Sequence, residues 1–354
     1  MKRWIQRPPG SNWGDFGPDD QLGRVNLIGP EQVRKGAQEI QAGLSFCLSM
    51  PLDFPGGSVL NPRRHPPQKG PTYRGETPYF NHLLRDDLDA AAIDGISDDQ
   101  VLLSMQYSTQ WDSLAHVGAL FDADGDGVEE LVYYNGYRAG EHIIGPEMSC
   151  ANSASDRACA AHGQLSHAGA LGVDAMAVKG MQGRGVLLDL VRVFGLELRH
   201  VGYDDLMHAI ESAGVEIEAG DMLVLRTGYA ELLLQMDRQP DVTELHRHCA
   251  ALNGRDERLL QWITDSQVAA IAADNYAVER TPALPPPAGQ VKYPLFPLHQ
   301  HCLFKLGLPL AELWYLRDLA DWLYAHQRYR FFLTAPPLRL PGAVGSPVTP
   351  IATV

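Results

Sequence analysis

Four side chains able to bind a cation or carry a proton fall close together at Gln106, Gln110, Asp112 and His116, at offsets of four, two and four residues. No other stretch of the sequence is so dense in them. A metal site needs lone pairs converging on one point, and a strand leaving into a loop or helix provides that convergence at this spacing. The amide oxygen of glutamine is neutral and hard, so an ion held by Gln106 and Gln110 would be Mn, Mg or Ca rather than a thiophilic metal. Asp112 supplies the firm anionic ligand. Histidine titrates near neutrality, at about 6.5 when unperturbed, so His116 is placed to move a proton at physiological pH. Without a metal, the same residues could run general acid and base chemistry, with Gln106 and Gln110 donating hydrogen bonds to a developing oxyanion.

Such a cluster needs a scaffold that fixes it. Short apolar or alternating runs at 101–108, 175–178, 186–190, 222–226 and 268–273 predict strands, with a further strand at 329–334. Helical patterns with recognisable starts lie between them at 203–214 and 255–265, and another is predicted at 309–326. The alternation predicts a mixed α/β domain. Upstream, the first 95 residues are rich in Pro, Gly and Asp, with a helix expected at 30–42, a strand at 44–52 and mostly loop at 55–77. A long irregular region of this kind reads as a packed arm or a lid. The division expected is therefore an N-terminal extension, 1–95, and a main domain, 96–354. Strand ends at Arg226, Thr227, Asp274 and Asn275 are possible site positions, or simple turns.

Other candidates are weaker. Asp122-Ala-Asp-Gly-Asp-Gly127 begins like a calcium loop, but Tyr133 stands where the bidentate Glu belongs, so a solvated acidic turn between strands is expected. Trp111 could stack on an aromatic substrate or be buried as core. The histidines at 142, 162, 167, 246 and 248 share no motif. There is no nucleophile elbow, P-loop or dinucleotide fingerprint after a strand.

The bulk composition narrows the classes. A chain of 354 residues with 45% hydrophobic residues fills a sizeable core. Its 43 Asp and Glu against 29 Lys and Arg give a net charge of -14, which disfavours nucleic acid and anionic membrane partners. Cys47, Cys150, Cys159, Cys249 and Cys302 are scattered and odd in number, as expected of reduced thiols. The basic start is followed by no apolar run of signal length, and no window is long and apolar enough for a membrane span, so a cytoplasmic location is expected.

The segment from Gln106 to His116 resembles the signature of the putative cyclase family, to which bacterial kynurenine formamidase and isatin hydrolase belong, H-x-G-T-H-x-D-x-x-x-H. Thr109, Asp112 and His116 match in register. Further stretches resemble the family in order: Lys179-Gly-Met-Gln-Gly-Arg-Gly-Val-Leu-Leu-Asp189, Gly220-Asp-Met-Leu-Val-Leu-Arg-Thr-Gly228, Leu306-Gly-Leu-Pro-Leu-Ala-Glu312 and the tail from Ala335 to Pro350. The resemblance runs from about residue 100 to the C-terminus, and Trp13-Gly to Asn26-Leu suggests a longer subgroup. It implies a swivelling β/β/α domain of the cyclase or kynurenine formamidase type with an N-terminal extension. It also implies a metal-assisted hydrolase of amide, lactam or ester-like carbonyls in small, often aromatic, metabolites, working as a homodimer or homotetramer.

By position, the resemblance makes Asp112 a metal ligand and His116 the catalytic acid and base. The family's two early histidines fall on Gln106 and Gln110. A second pair, a histidine and a glutamate, maps cleanly to Glu312, whereas the histidine falls on Gln300, flanked by His299 and His301. A one-residue shift would bring either in, and His299 is preferred. Glu312 is counted with His116 as catalytic, and Gln106, Gln110, Asp112 and His299 as the metal set, for Mn, Zn or Mg. The rival reading is a catalytically silent relative that binds a small molecule or serves in an assembly.

Overall fold

The computed structural model describes residues 2–146 and 166–354, so Cys150, Cys159 and His162 lie outside the described residues. Nine strands form one mixed sheet. In chain order they are β1 (Ser45–Cys47), β2 (Gln110–Asp112), β3 (Gln182–Asp189), β4 (Met222–Arg226), β5 (Ala270–Ala273), β6 (Leu310–Glu312), β7 (Arg330–Thr334), β8 (Gly345–Pro347) and β9 (Ile351–Thr353). Across the sheet they run β1-β9-β7-β3-β4-β5-β6-β2-β8. β3 to β6 are parallel to one another, and β7 and β2 flank them antiparallel.

The central strands are apolar along their whole length because both faces are covered. Leu188, Leu225, Ile271 and Leu310 face one core, with Leu206, Ala209, Leu259 and Ile263 of the helices Tyr203–Ala213 and Glu257–Ser266. Leu187, Val224, Ala272 and Ala311 face the other, with Leu319 and Leu323 of the helix Arg317–Ala325. The helix Pro30–Gln38 lies against β3, where a β-carbon at Gly36 would fall 2.6 Å from the Gly183 carbonyl carbon. Only glycine permits that approach.

The α/β class expected from the pattern is the observed one, but three predicted elements differ. The run at 175–178 is not a strand: it sits in the helix Val173–Lys179, ended by left-handed Gly180. Four apolar residues carry too little periodicity to separate the two states. The helix predicted at 309–326 starts only at Arg317, and its first residues are β6, a buried strand whose unbroken apolar run mimics a buried helix. Of the strand predicted at 101–108, only its beginning is extended, in Asp99–Leu102, which pairs with Gln68–Pro71 away from the main sheet.

The N-terminal residues reach the body of the domain at several points. Trp13 Nε1 donates to the Phe304 carbonyl at 2.8 Å, Arg24 donates to the carbonyls of Ile263 and Thr264, and β1 pairs with β9. No helix among the described residues is long and apolar enough to cross a membrane.

Candidate active site

Alternation along β2 puts Gln110 and Asp112 on one face and Trp111 on the other. Trp111 is core: it is fully buried, donates to the Ala335 carbonyl at 2.8 Å and packs edge-on to Trp314. Thr109 serves the backbone, its hydroxyl bonding the Leu313 carbonyl and accepting from the Met50 amide. β6 pairs antiparallel with β2, setting Glu312 opposite Gln110. Gln110 Nε2 accordingly donates to Glu312 Oε2 at 3.0 Å. A carboxylate accepts and cannot donate, so that bond fixes which end of the amide is which. Oε1 of Gln110 is left buried without a partner.

β8 lies on the far side of β2, with Gly345 in register with Asp112. Residues paired in register project to the same face. The space a side chain at Gly345 would fill is taken by Gln106, whose Cδ would lie 2.6 Å from such a β-carbon. The Gln106 amide thus packs on the Asp112 side of the sheet. Gly345→Ala should displace it and destabilise the fold by about 1–3 kcal/mol, less if Gln106 swings out freely. Urea denaturation checks this, and an unchanged midpoint would show that the packing is loose.

The imidazole comes from a short helical segment, Pro297–His299, that runs on into a π-helical turn, Gln300–Lys305. Its start is held by Glu279, which accepts from the amides of Leu298 and His299, each at 3.0 Å, and from His299 Nδ1 at 2.7 Å. With Nδ1 engaged, Nε2 of His299 points inward, 3.4 Å from Glu312 Oε1 and 4.0 Å from Asp112 Oδ2. On the other side His116 Nε2 lies 3.8 Å from Asp112 Oδ1, and its side chain, 23% exposed, marks the mouth of the site. His301 faces elsewhere, bonded to Thr264 Oγ1, and burial pushes it down to about 4.

Donor atoms of Asp112, His299 and Glu312 all lie within 4.8 Å of one another. Both Asp112 oxygens are buried with no hydrogen-bond partner, as is Gln110 Oε1. Unpaired buried acceptors are costly, and a cation held by Asp112 with His299 and Glu312 is a partner that would satisfy the Asp112 carboxylate. Two carboxylates and one imidazole form a donor set suited to a divalent ion that accepts hard ligands. The electrostatics agree. Burial raises the Asp112 carboxyl, Glu312 raises it further, and His116, His299 and Arg64 oppose the rise. Burial also works against the charged form of Glu312, but its hydrogen bond to His299, with the charges of Arg64 and His116, holds its carboxyl down. His299 is driven down by burial and more strongly up by Glu279 and Glu312, to about 10.

The structure thus brings Gln110, Asp112, His116, His299 and Glu312 together. Two residues were missed in the sequence. Glu279 stands 20 residues before His299 with no recurring spacing, and its only signal was the strand end at Asp274 just upstream. Arg64 lies in the loop expected at 55–77, and its Nη1 donates to the Gln106 carbonyl at 2.7 Å. The other strand ends serve the scaffold: Arg226 pairs with Asp189 and Glu231, and Asp274 accepts from Thr227 and Gly228. The Asp122 turn joins two short strands and folds its carboxylate onto the amides of Gly125 and Gly127. A larger cavity of about 760 Å³, lined by His208 and Tyr324, touches none of the clustered residues.

A mixed sheet that brings two carboxylates and an imidazole within 4.8 Å of one another, with the Gln110 amide bonded to one of the carboxylates, defines an α/β domain with a candidate cation centre. The Putative cyclase family model matches residues 46–280, and a crystal structure of a novel cyclase is 30% identical over 99% of this chain and 100% of its own, with a TM-score of 0.72. The chain belongs to the cyclase family. Isatin hydrolase A from Labrenzia aggregata shares the fold at 13% identity and TM-score 0.53, over 92% of this chain and 98% of its own. Isatin hydrolase A from Ralstonia solanacearum does so at 15% and 0.51, over 87% and 91%. No curated protein matches the sequence.

Proposed function

We propose that this protein hydrolyses the carbonyl of a small-molecule amide, lactam, lactone or ester, using a divalent cation and His116 as general acid and base. The observation that carries this is the buried Asp112 carboxylate, unpartnered at both oxygens and set between His116 at 3.8 Å and His299 at 4.0 Å. Asp112, His299, Glu312 and Oε1 of Gln110 would hold the cation. When bound, such an ion supplies Lewis acidity for the carbonyl and lowers the pKa of water. Glu279 keeps His299 turned inward, as carboxylates do for ligating histidines. His116 Nε2 takes the proton of the attacking water and returns it to the leaving nitrogen or oxygen. Asp112 steadies the imidazolium that forms between those transfers. The isatin hydrolases of the same fold support hydrolysis as the reaction type.

Elemental analysis of the purified protein and assays on lactones, lactams and N-formyl amines with Mn, Zn or Mg test this. His116→Ala should lower kcat by roughly 10²–10⁴-fold while cation content stays unchanged. Hydrolysis undiminished in that variant would remove His116 from the mechanism. A protein that retains no divalent ion and turns over nothing in the panel would instead be a small-molecule-binding relative of the same fold.

A further inference from the structure

His246 and His248, which share no motif in the sequence, meet at a cavity of about 330 Å³ that is also lined by Arg280. Ala250 and Ala251, from a short parallel ladder in which Arg199–Val201 pairs with Ala250–Leu252, form part of its wall. Arg280 is fixed to that ladder by its amide, which donates to the Leu252 carbonyl at 2.9 Å. Its side chain is half-buried and makes one hydrogen bond among the described residues, from Nη1 to the Thr281 carbonyl at 3.2 Å. No carboxylate lies within ion-pair distance of it among those residues. A guanidinium offers five N–H donors, so most of this fork is left for a ligand.

The rest of the wall gives the cavity its character. Glu279 is the one acidic residue lining it, and that carboxylate is fully buried and spent on the amides of Leu298 and His299 and on His299 Nδ1. The histidines carry no negative charge, so Arg280 sets the sign of the site. Leu60, Tyr229, Leu245 and Tyr276 supply an apolar surface. A fixed, planar guanidinium beside such a surface suits a carboxylate carried on a ring, and the volume, at the small end for ligand cavities, suits one ring. Glu279 also marks the boundary with the cation centre. It lines the cavity on one side and holds His299 on the other, while Asp112, His116, His299 and Glu312 line no part of the cavity.

We propose that this cavity is a second ligand site, distinct from the cation centre, for a small monocarboxylate with one aromatic or alicyclic ring. The carboxylate sits on the Arg280 guanidinium and the ring between Leu60, Tyr229, Leu245 and Tyr276. The site does not depend on the hydrolase reading and would serve equally in a catalytically silent relative.

Calorimetry on the full chain in EDTA, with benzoate and its neutral counterpart benzamide as probes, tests this. Wild type should bind benzoate at least about tenfold more tightly than benzamide, as a charge-assisted bond to arginine produces. Arg280→Gln should lose that preference without changing benzamide, and Arg280→Lys, which keeps the charge but not the fork, should keep part of it. Asp112→Asn should bind benzoate as wild type does, and added Mn should leave the affinity unchanged. Absence of a benzoate preference in wild type, whether both probes bind or neither, overturns the proposal. So does a preference that survives Arg280→Gln, or one that needs Mn or Asp112, which would put the anion at the cation centre. Should Arg280→Gln fail to fold, chemical protection decides: saturating benzoate should shield Arg280 from phenylglyoxal, read by peptide mass spectrometry, and an unshielded Arg280 overturns the assignment.

Discussion

Asp112→Asn should abolish hydrolysis yet leave the cation-free protein at least as stable as wild type. The carboxylate is buried, and neither oxygen has a hydrogen-bond partner. Burial of an uncompensated acceptor costs about 1–3 kcal/mol, and more for a charged one. Asparagine keeps the shape and removes the charge, so in EDTA its urea midpoint should equal or exceed that of wild type. With Mn, Zn or Mg added, the order should reverse. Wild type gains stability by mass action, by about 2.7 kcal/mol at a hundredfold excess over Kd, and the variant gains little. Turnover should fall by about a thousandfold or more, since loss of the ion and of the anion beside His116 removes several kcal/mol from the transition state. An Asp112→Asn protein that is much less stable in EDTA would show that the carboxylate serves the fold and not a cation.

Glu279→Ala should be the most destabilising single change at the site. It leaves the amides of Leu298 and His299 and the Nδ1 of His299 without an acceptor in the interior. Breaking a buried charged pair from one side costs about 3–5 kcal/mol. For a domain of this size that corresponds to a fall in Tm of roughly four to seven degrees, read by calorimetry. Glu279→Gln retains an acceptor and should lose less. The pH dependence separates charge from packing. In the cation-free protein burial works against the charged imidazole of His299, but its bonds to Glu279 and Glu312 outweigh burial and hold it up at about 10, above the ordinary histidine value of about 6.5. A raised folded value means that its contribution is complete below about 6.5 and is lost as pH climbs toward 10. Wild type in EDTA should therefore lose stability over that window, and Glu279→Gln should show a flatter curve. Identical curves would place the titration elsewhere.

The motif around Asp112 was legible because strand alternation and short offsets are local. Gln110 and Asp112 sit two residues apart and must share a face wherever the chain is extended. Glu312 and His299 were reached through the family pattern, since no local rule links them to Asp112. The choice between His299 and His301 needed the helical register of Pro297–Lys305, which irregular π geometry hides from any simple period. Glu279 and Arg64 were invisible for a different reason. Each acts through a contact set by tertiary packing, one behind His299 and one above Gln106, and a lone acidic or basic residue in a loop looks like solvated surface. The same limit explains β6: buried on both faces, it loses the alternation by which strands are recognised.

Position in the sheet has a consequence for how the centre comes into being. β2 is hydrogen-bonded on both sides, to β6 and to β8. The bond from Gln110 to Glu312 joins residues 202 apart, and that from Ser113 to Val344 joins residues 231 apart. Loops of this length close late, because their entropy must be lost before any pairing repays it. A ribosome-bound chain that has emerged only as far as Asp112 carries the motif without the pocket. Capture of the proposed cation would thus belong to the finished protein, and in refolding it should trail the formation of the parallel strands β3 to β5, which close over shorter spans.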